Sequence, residues 1–237
     1  MSKAVFVGEY EFKKWKLEEV ISILKKYDFD TVYLEEGVLP KSFYLHQAGF
    51  KCFAWIKFTG KTNEELAGLI GKYSGLIQGV CLDYVRCEDK FFPFGFLTLI
   101  PRLLRIKKLI RTFKELEWTA CLKCEVFKGA GKDWFWFLFN ELNRWFWGQP
   151  LIFMYKLFDK VLLMSYGKEY NVSELRVKET VKGIQERFSN VVPIWGTYID
   201  KPVVDYTFYH KDIVKYSKCF CDNAFFRLGT CALESFS

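Results

Sequence analysis

Gly79-Val80-Cys81-Leu82-Asp83-Tyr84-Val85-Arg86 is the stretch on which the fold turns. Val80, Cys81 and Leu82 form an unbroken apolar run, which reads as a strand buried on both faces. The run stops at Asp83, so a carboxylate stands where apolar packing ends. The predicted strand covers residues 79–84.

Outward from this stretch the same texture repeats. Short β-branched or aromatic runs end in polar residues, and longer charged segments with helical spacing follow. Strands are expected at 4–10, 31–35, 51–56, 119–126, 160–166, 191–197 and 223–228 as well. Helices are expected at 17–27, around 42–47, from Thr62 to about Tyr73, over 100–117, from Pro150 to Phe158 and from Ser173 through Phe188. Leu17, Val20, Ile21 and Leu24 share one face of the first. Thr62-Asn63-Glu64-Glu65 has the look of a capping box, and Pro150 suits a first helical turn. Strands alternating with helices imply a parallel sheet. Eight strands point to an α/β fold, a single (β/α)8 TIM barrel, with long loops or helical insertions after strands 4 and 5. An open doubly wound sheet is the alternative, but no Gly-x-Gly-x-x-Gly follows the first strand.

The chain has 237 residues, 51% hydrophobic and 27% charged. This length suits one domain, 1–237, since α/β barrels run to about 200–250 residues as one unit. The composition excludes a disordered chain, and 6 Pro with 16 Gly exclude a collagen-like polymer. A net charge of +7, with basic residues mixed among 28 acids, permits attraction to an anionic surface without demanding it. No signal peptide or transmembrane stretch is visible, so a cytoplasmic location is expected. Abundant Lys and Glu fit a heat-adapted source. The eight cysteines sit mostly in apolar runs and read as small buried hydrophobes, with disulfides as the next reading.

In a barrel the site lies at the C-terminal ends of the strands. The strand-end residues are Glu9, Glu35, Glu36, Trp55, Lys57, Asp83, Arg86, Lys123, Glu125, Tyr166, Glu169, Trp195, Tyr198, Asp200 and Arg227. Aromatic faces stack on pyranose rings, and a carboxylate pair can perform acid and nucleophile or base work on a glycosidic bond. A solvated rim of ion pairs is the plain alternative.

The segment 79–86 resembles the fourth-strand signature of glycoside-hydrolase-like barrels, a glycine and two apolar residues leading to Leu-Asp-Tyr and an arginine. Asp159-Lys160-Val161-Leu162-Leu163-Met164-Ser165-Tyr166 resembles their sixth strand, and Asn223-Ala224-Phe225-Phe226-Arg227-Leu228-Gly229 is similar to their closing strand. The resemblance implies a carbohydrate-active site around Asp83. Chitinase-type barrels carry Asp-Gly-x-Asp-x-Asp-x-Glu at strand four. The aligned positions here are Gln78, Gly79, Cys81, Asp83 and Val85, so the acid-donating Glu is absent. The nearer likeness is to the Asp-Tyr-x-Arg group of glycosidase-like barrels.

Asp83 and Glu125 are the expected catalytic pair, because Glu125 ends the adjacent strand five with Lys123 on the same face. Glu35 and Asp200 stand in reserve. Glu35, Trp55, Arg86, Lys123, Tyr166, Trp195, Tyr198 and Arg227 are expected to position a sugar. No cofactor and no metal are expected. Cys121 and Cys124, three apart on a strand, face opposite sides and suit zinc poorly, and Cys219-Phe220-Cys221 is the remaining close pair. Only His46 and His210 are present, too few for a three-His metal site.

Two segments ask for more than a plain enzyme. Residues 100–116 alternate Ile100, Leu103, Leu104, Ile106, Leu109 and Ile110 with Arg102, Arg105, Lys107, Lys108, Arg111 and Lys114. This is an outer barrel helix or an interfacial helix on anionic lipid or an acidic partner. Residues 133–147 are dense in Trp and Phe, which fits core, a lid or an outward patch. Protein or membrane-surface contact through residues 100–148 is therefore an expectation. Nucleic acid is not expected as a partner. The alternative function is a glycosidase-like barrel without catalysis that serves as a structural or interaction protein.

Overall fold

The computed structural model describes residues 2–83, 85, 94–123, 138, 141–142, 144–146, 150–165, 173–195 and 222–226. They form a parallel α/β fold of the TIM-barrel kind. The strands are β1 (Ser2–Val7), β2 (Thr31–Glu35), β3 (Lys51–Lys57), β4 (Gly79–Asp83), β5 (Glu117–Lys123), β6 (Lys160–Met164), β7 (Val191–Trp195) and β8 (Asp222–Phe226). Each is hydrogen-bonded in parallel to the next in chain order, and β8 also pairs with β1, Ala4 opposite Ala224.

The helices between them are α1 (Glu9–Lys14), α2 (Leu17–Lys26), α3 (Ser42–Gln47), α4 (Asn63–Tyr73), α5 (Leu99–Thr112), α6 (Leu151–Leu157) and α7 (Glu174–Gln185). Their starts follow from side-chain chemistry. Thr62 Oγ1 accepts the Glu65 N–H at 3.2 Å, and the Glu65 carboxylate accepts the Thr62 N–H at 2.6 Å. Ser173 Oγ accepts the Arg176 N–H. Pro150 stands at the N-cap of α6.

Several boundaries differ from the sequence reading. The first strand ends at Val7, and α1 begins at Glu9. The cause is local: Glu11 Oε2 accepts the Gly8 N–H at 2.8 Å and turns the chain into a helix. A 3-10 helix, Glu36–Lys41, precedes α3 and contains Pro40. The fifth helix ends at Thr112, and Glu117, expected in it, opens β5. The expected insertions after strands 4 and 5 fall largely outside the described residues, as do the segments 196–221 and 227–237.

Two apolar clusters hold the fold. The larger lies between strands and helices and contains Val5, Val7, Leu34, Ile56, Leu82, Leu122 and Leu163 with Leu24, Leu66, Ile106 and Val181. The smaller fills the inside of the strand ring: Ala4, Phe6, Tyr33, Phe53, Cys81, Cys121, Leu162, Val192, Ile194 and Ala224. The two sets alternate along each strand, as the pleat requires. Of the aromatic stretch near 133–147, Trp145 is half-buried against Phe153, with ring centroids 5.4 Å apart. Glu141 is buried, paired with Arg144 at 3.4 Å and accepting the N–H groups of Leu151 and Ile152. Among the described residues no helix is long and apolar enough to cross a membrane.

Candidate functional site

The site is built upward from the aromatic interior of the ring. Phe6 and Tyr33 stack with centroids 4.7 Å apart, and Tyr33 meets Phe53 at 5.1 Å. Trp55 stands edge-on to Phe6 at 5.0 Å and caps this stack toward the C-terminal ends of the strands. Its neighbours are set by register: Glu35 of β2 pairs with Trp55 of β3, and Lys57 pairs with Asp83 of β4.

Trp55 Nε1 donates to Asp83 Oδ2 at 3.1 Å. The Phe58 N–H donates to the Asp83 carbonyl at 2.8 Å, which pins the backbone of the same residue. Asp83 is only 6% exposed. A carboxylate held by an indole N–H at the mouth of an aromatic-lined ring is fixed in direction before any ligand arrives.

Beneath Asp83 lies a layer of weakly acidic side chains, Tyr33, Cys81 and Cys121. Cys81 Sγ and Cys121 Sγ are 3.3 Å apart on neighbouring strands. Burial pushes the Cys121 thiol well above its ordinary range, helped by its hydrogen bond with Cys81 and by the charges of Cys81 and Asp83. Burial likewise raises the Tyr33 phenol, as do Cys81, Cys121 and Glu117, against a hydrogen bond with Thr119 that lowers it. The Cys121 thiol and the Tyr33 phenol are therefore held in their neutral forms below Asp83. Cys52 belongs elsewhere: it packs in the outer cluster, its thiol pushed up to about 12 by burial. No disulfide joins Cys52, Cys81 or Cys121.

Two further carboxylate residues, Glu9 and Glu35, meet where α1 follows β1 beside the end of β2. Glu35 Oε2 accepts the Glu9 N–H at 2.9 Å. Gly8 and Gly37 make room for it: a Cβ on Gly8 would strike the Glu35 carboxylate, and one on Gly37 the Glu9 carboxylate. Glu9 also pairs with Lys13 at 3.2 Å, and Glu36 with Lys61 at 3.1 Å.

Of the residues expected from sequence, the structure joins Trp55 to Asp83 and sets Glu35 beside Trp55 in register. Trp195 is placed differently. It is 2% exposed and belongs to the cluster between strands and helices, because Val192 and Ile194 take the inward positions of β7. That placement makes it a packing residue. Lys123 ends β5 opposite Met164, with its side chain outside the described residues. Glu125, Arg86, Tyr166, Tyr198 and Arg227 also lie outside them, so the Asp83–Glu125 separation is not part of this geometry. His46 is exposed on α3 and bonds to Gln78 through Nδ1 at 2.9 Å. Among the described residues no three His, Cys, Asp or Glu side chains converge as a metal would need.

The Tyr33–Cys81–Cys121 layer was not anticipated. The signal was present in the period-two alternation of Thr31-Val32-Tyr33-Leu34-Glu35 and Thr119-Ala120-Cys121, which sends Tyr33 and Cys121 to one interior.

Fold and site together define a TIM-type α/β barrel with a carboxylate held at the C-terminal mouth. No known protein family and no curated protein matches the chain by sequence. Solved structures do match in shape. A putative deoxyribose-phosphate aldolase from Coccidioides immitis has a TM-score of 0.58 and 9% identity, over 99% of this chain and 82% of that one. Xylanase A from P fluorescens subsp. cellulosa, in complex with xylopentaose, has 0.53 and 10%, over 94% and 85%. Active domain 2 of a chitinase from Pyrococcus furiosus has 0.51 and 14%, over 94% and 82%. At these identities the likeness shows the barrel alone, shared by glycosidases and an aldolase.

Proposed function

We propose that the chain is a glycoside hydrolase-like (β/α)8 barrel acting on a carbohydrate through a carboxylate pair, Asp83 with Glu125, at the C-terminal mouth. The observation that carries this reading is the bond from Trp55 Nε1 to Asp83 Oδ2 at 3.1 Å. It presents an oriented carboxylate at the edge of an indole ring, an acid group and an aromatic surface side by side, as a glycosidic oxygen and its sugar ring would use them. In this reading one carboxyl protonates the leaving oxygen. The other attacks the anomeric carbon or activates a water, depending on whether the pair stands about 5–5.5 Å or about 6.5–9.5 Å apart. Glu35, Arg86, Lys123, Tyr166, Tyr198 and Arg227 would bind hydroxyl groups.

The test is a screen of aryl glycosides and soluble polysaccharides with the wild-type chain, then with Asp83→Asn. Asparagine keeps the shape and still accepts from Trp55, but transfers no proton. The expected result is turnover that falls by roughly 10²–10⁴-fold in the variant, with an unchanged melting curve. Turnover equal to wild type in Asp83→Asn overturns the assignment.

One observation favours a second reading. Val85, at the position where chitinase-type barrels carry their acid-donating Glu, is buried in the outer cluster. A glycosidase-like barrel without catalysis, serving as an interaction protein, would bind sugars or partners and turn over nothing in the same screen.

A further inference from the structure

Helix α5 has already spent its apolar side on the fold, with Leu99, Ile106 and Leu109 buried. Its opposite face nevertheless carries Ile100 and Leu104, 69% and 62% exposed and one turn apart. Leu97, in the 3-10 helix Phe94–Thr98 that leads into α5, is 67% exposed. Lys107, Lys108 and Arg111 continue the face, and with Leu104 they line a shallow hollow of about 320 Å³.

The cations of this helix divide into two groups. Arg102 donates to the carbonyls of Val85, Thr98 and Gly95, and Arg105 donates to Asn63 and the Lys61 carbonyl and stacks on Phe58. These two serve the fold. Lys107, Lys108 and Arg111 are exposed and make no ion pair with any described residue. Exposed aliphatics and cations with no ion-pair partner among the described residues thus share one open, shallow surface.

We propose that this face, Leu97, Ile100 and Leu104 with Lys107, Lys108 and Arg111, docks on an anionic lipid bilayer. The surface is the outside of a helix, so it offers no deep groove for an anchoring side chain but suits a deformable plane. Fourteen residues are too few to span a bilayer, so the helix lies along it. The aliphatic side chains enter the headgroup boundary while the lysine stems keep their charges at the phosphates. Aliphatic insertion and charge attraction act together, and each alone is a marginal anchor. The helix runs from the C-terminal end of β4 to the start of β5, so its aliphatic end lies nearest the mouth that holds Asp83.

The test is co-sedimentation of the full chain with vesicles of phosphatidylcholine alone and of phosphatidylcholine mixed with phosphatidylserine. The expected result is pelleting with the anionic vesicles only, lost at high salt. Ile100→Ser with Leu104→Ser, and separately Lys107→Glu with Lys108→Glu, should each weaken it by about tenfold or more. These positions are exposed, so melting curves should match wild type, and Asp83→Asn should bind vesicles normally. No pelleting of the wild type, equal pelleting on neutral vesicles, or wild-type binding by both variants overturns the proposal. Sedimentation velocity closes the remaining route: a dimer that Leu104→Ser dissociates, without vesicle binding, assigns the face to a second copy instead.

Discussion

Trp55 uses its two ends differently. Its ring edge meets Phe6, and its N–H holds Asp83. Trp55→Phe removes the second role and keeps most of the first. A hydrogen bond to a charged group is worth about 1.5–3 kcal/mol, so under the proposed function turnover of a glycoside should fall by roughly tenfold to a hundredfold. The loss should appear in kcat, with the melting curve close to wild type; an unchanged kcat would show that the indole does not orient Asp83. Asp83 and Trp55 were each legible as strand-end residues. Their bond was not, because it depends on the register between β3 and β4, which no local pattern encodes. Trp195 shows the complementary error. Standing at a strand end does not aim a side chain at the mouth; parity does, and Val192 and Ile194 hold the inward parity of β7.

At the scale of the element, β4 begins on a glycine that cannot be replaced cheaply. A Cβ on Gly79 would collide with the Phe53 ring of β3 and with the Glu117 carbonyl of β5. The carbonyl belongs to a strand backbone and cannot step aside. Gly79→Val should therefore destabilise the fold by about 1–3 kcal/mol, read as a lower urea midpoint. Gly79→Ala combined with Phe53→Leu should recover part of the loss caused by Gly79→Ala alone. Element types were the most legible level: Thr31–Glu35, Ser42–Gln47 and the Thr62 cap of α4 follow from local chemistry. The missed pieces, α1 and the 3-10 helix Glu36–Lys41, are single-turn or two-turn segments. Too few residues define a period there, and Pro40 reads as a breaker rather than as part of a helix.

At the scale of the molecule, the alternation of textures announced a parallel α/β fold, whereas the pairing of β1 with β8 has no local signature. Ser2–Val7 and Asp222–Phe226 stand at opposite ends of the chain and meet only because intervening units turn the same way. The interior they enclose carries its own pH dependence. Tyr33 and Cys121 are held protonated above their ordinary values of 10.0 and 9.0. Between the unfolded and folded values the unfolded chain binds fewer protons, so stability is full below about pH 9 and falls as pH rises beyond it. The urea midpoint should drop as pH rises from about 9 through about 10 and beyond, and Tyr33→Phe with Cys121→Ala should flatten that slope. A slope identical to wild type in the double variant would place the dependence elsewhere.

Phe6, Tyr33 and Phe53 on β1 to β3, with Cys81, Cys121, Leu162, Val192 and Ile194 from β4 to β7, fill the interior below Trp55, so the barrel is a cup rather than a tube. A ligand that bound beside Asp83 would enter and depart by the same doorway, and one that lingered in that opening would bar the next guest.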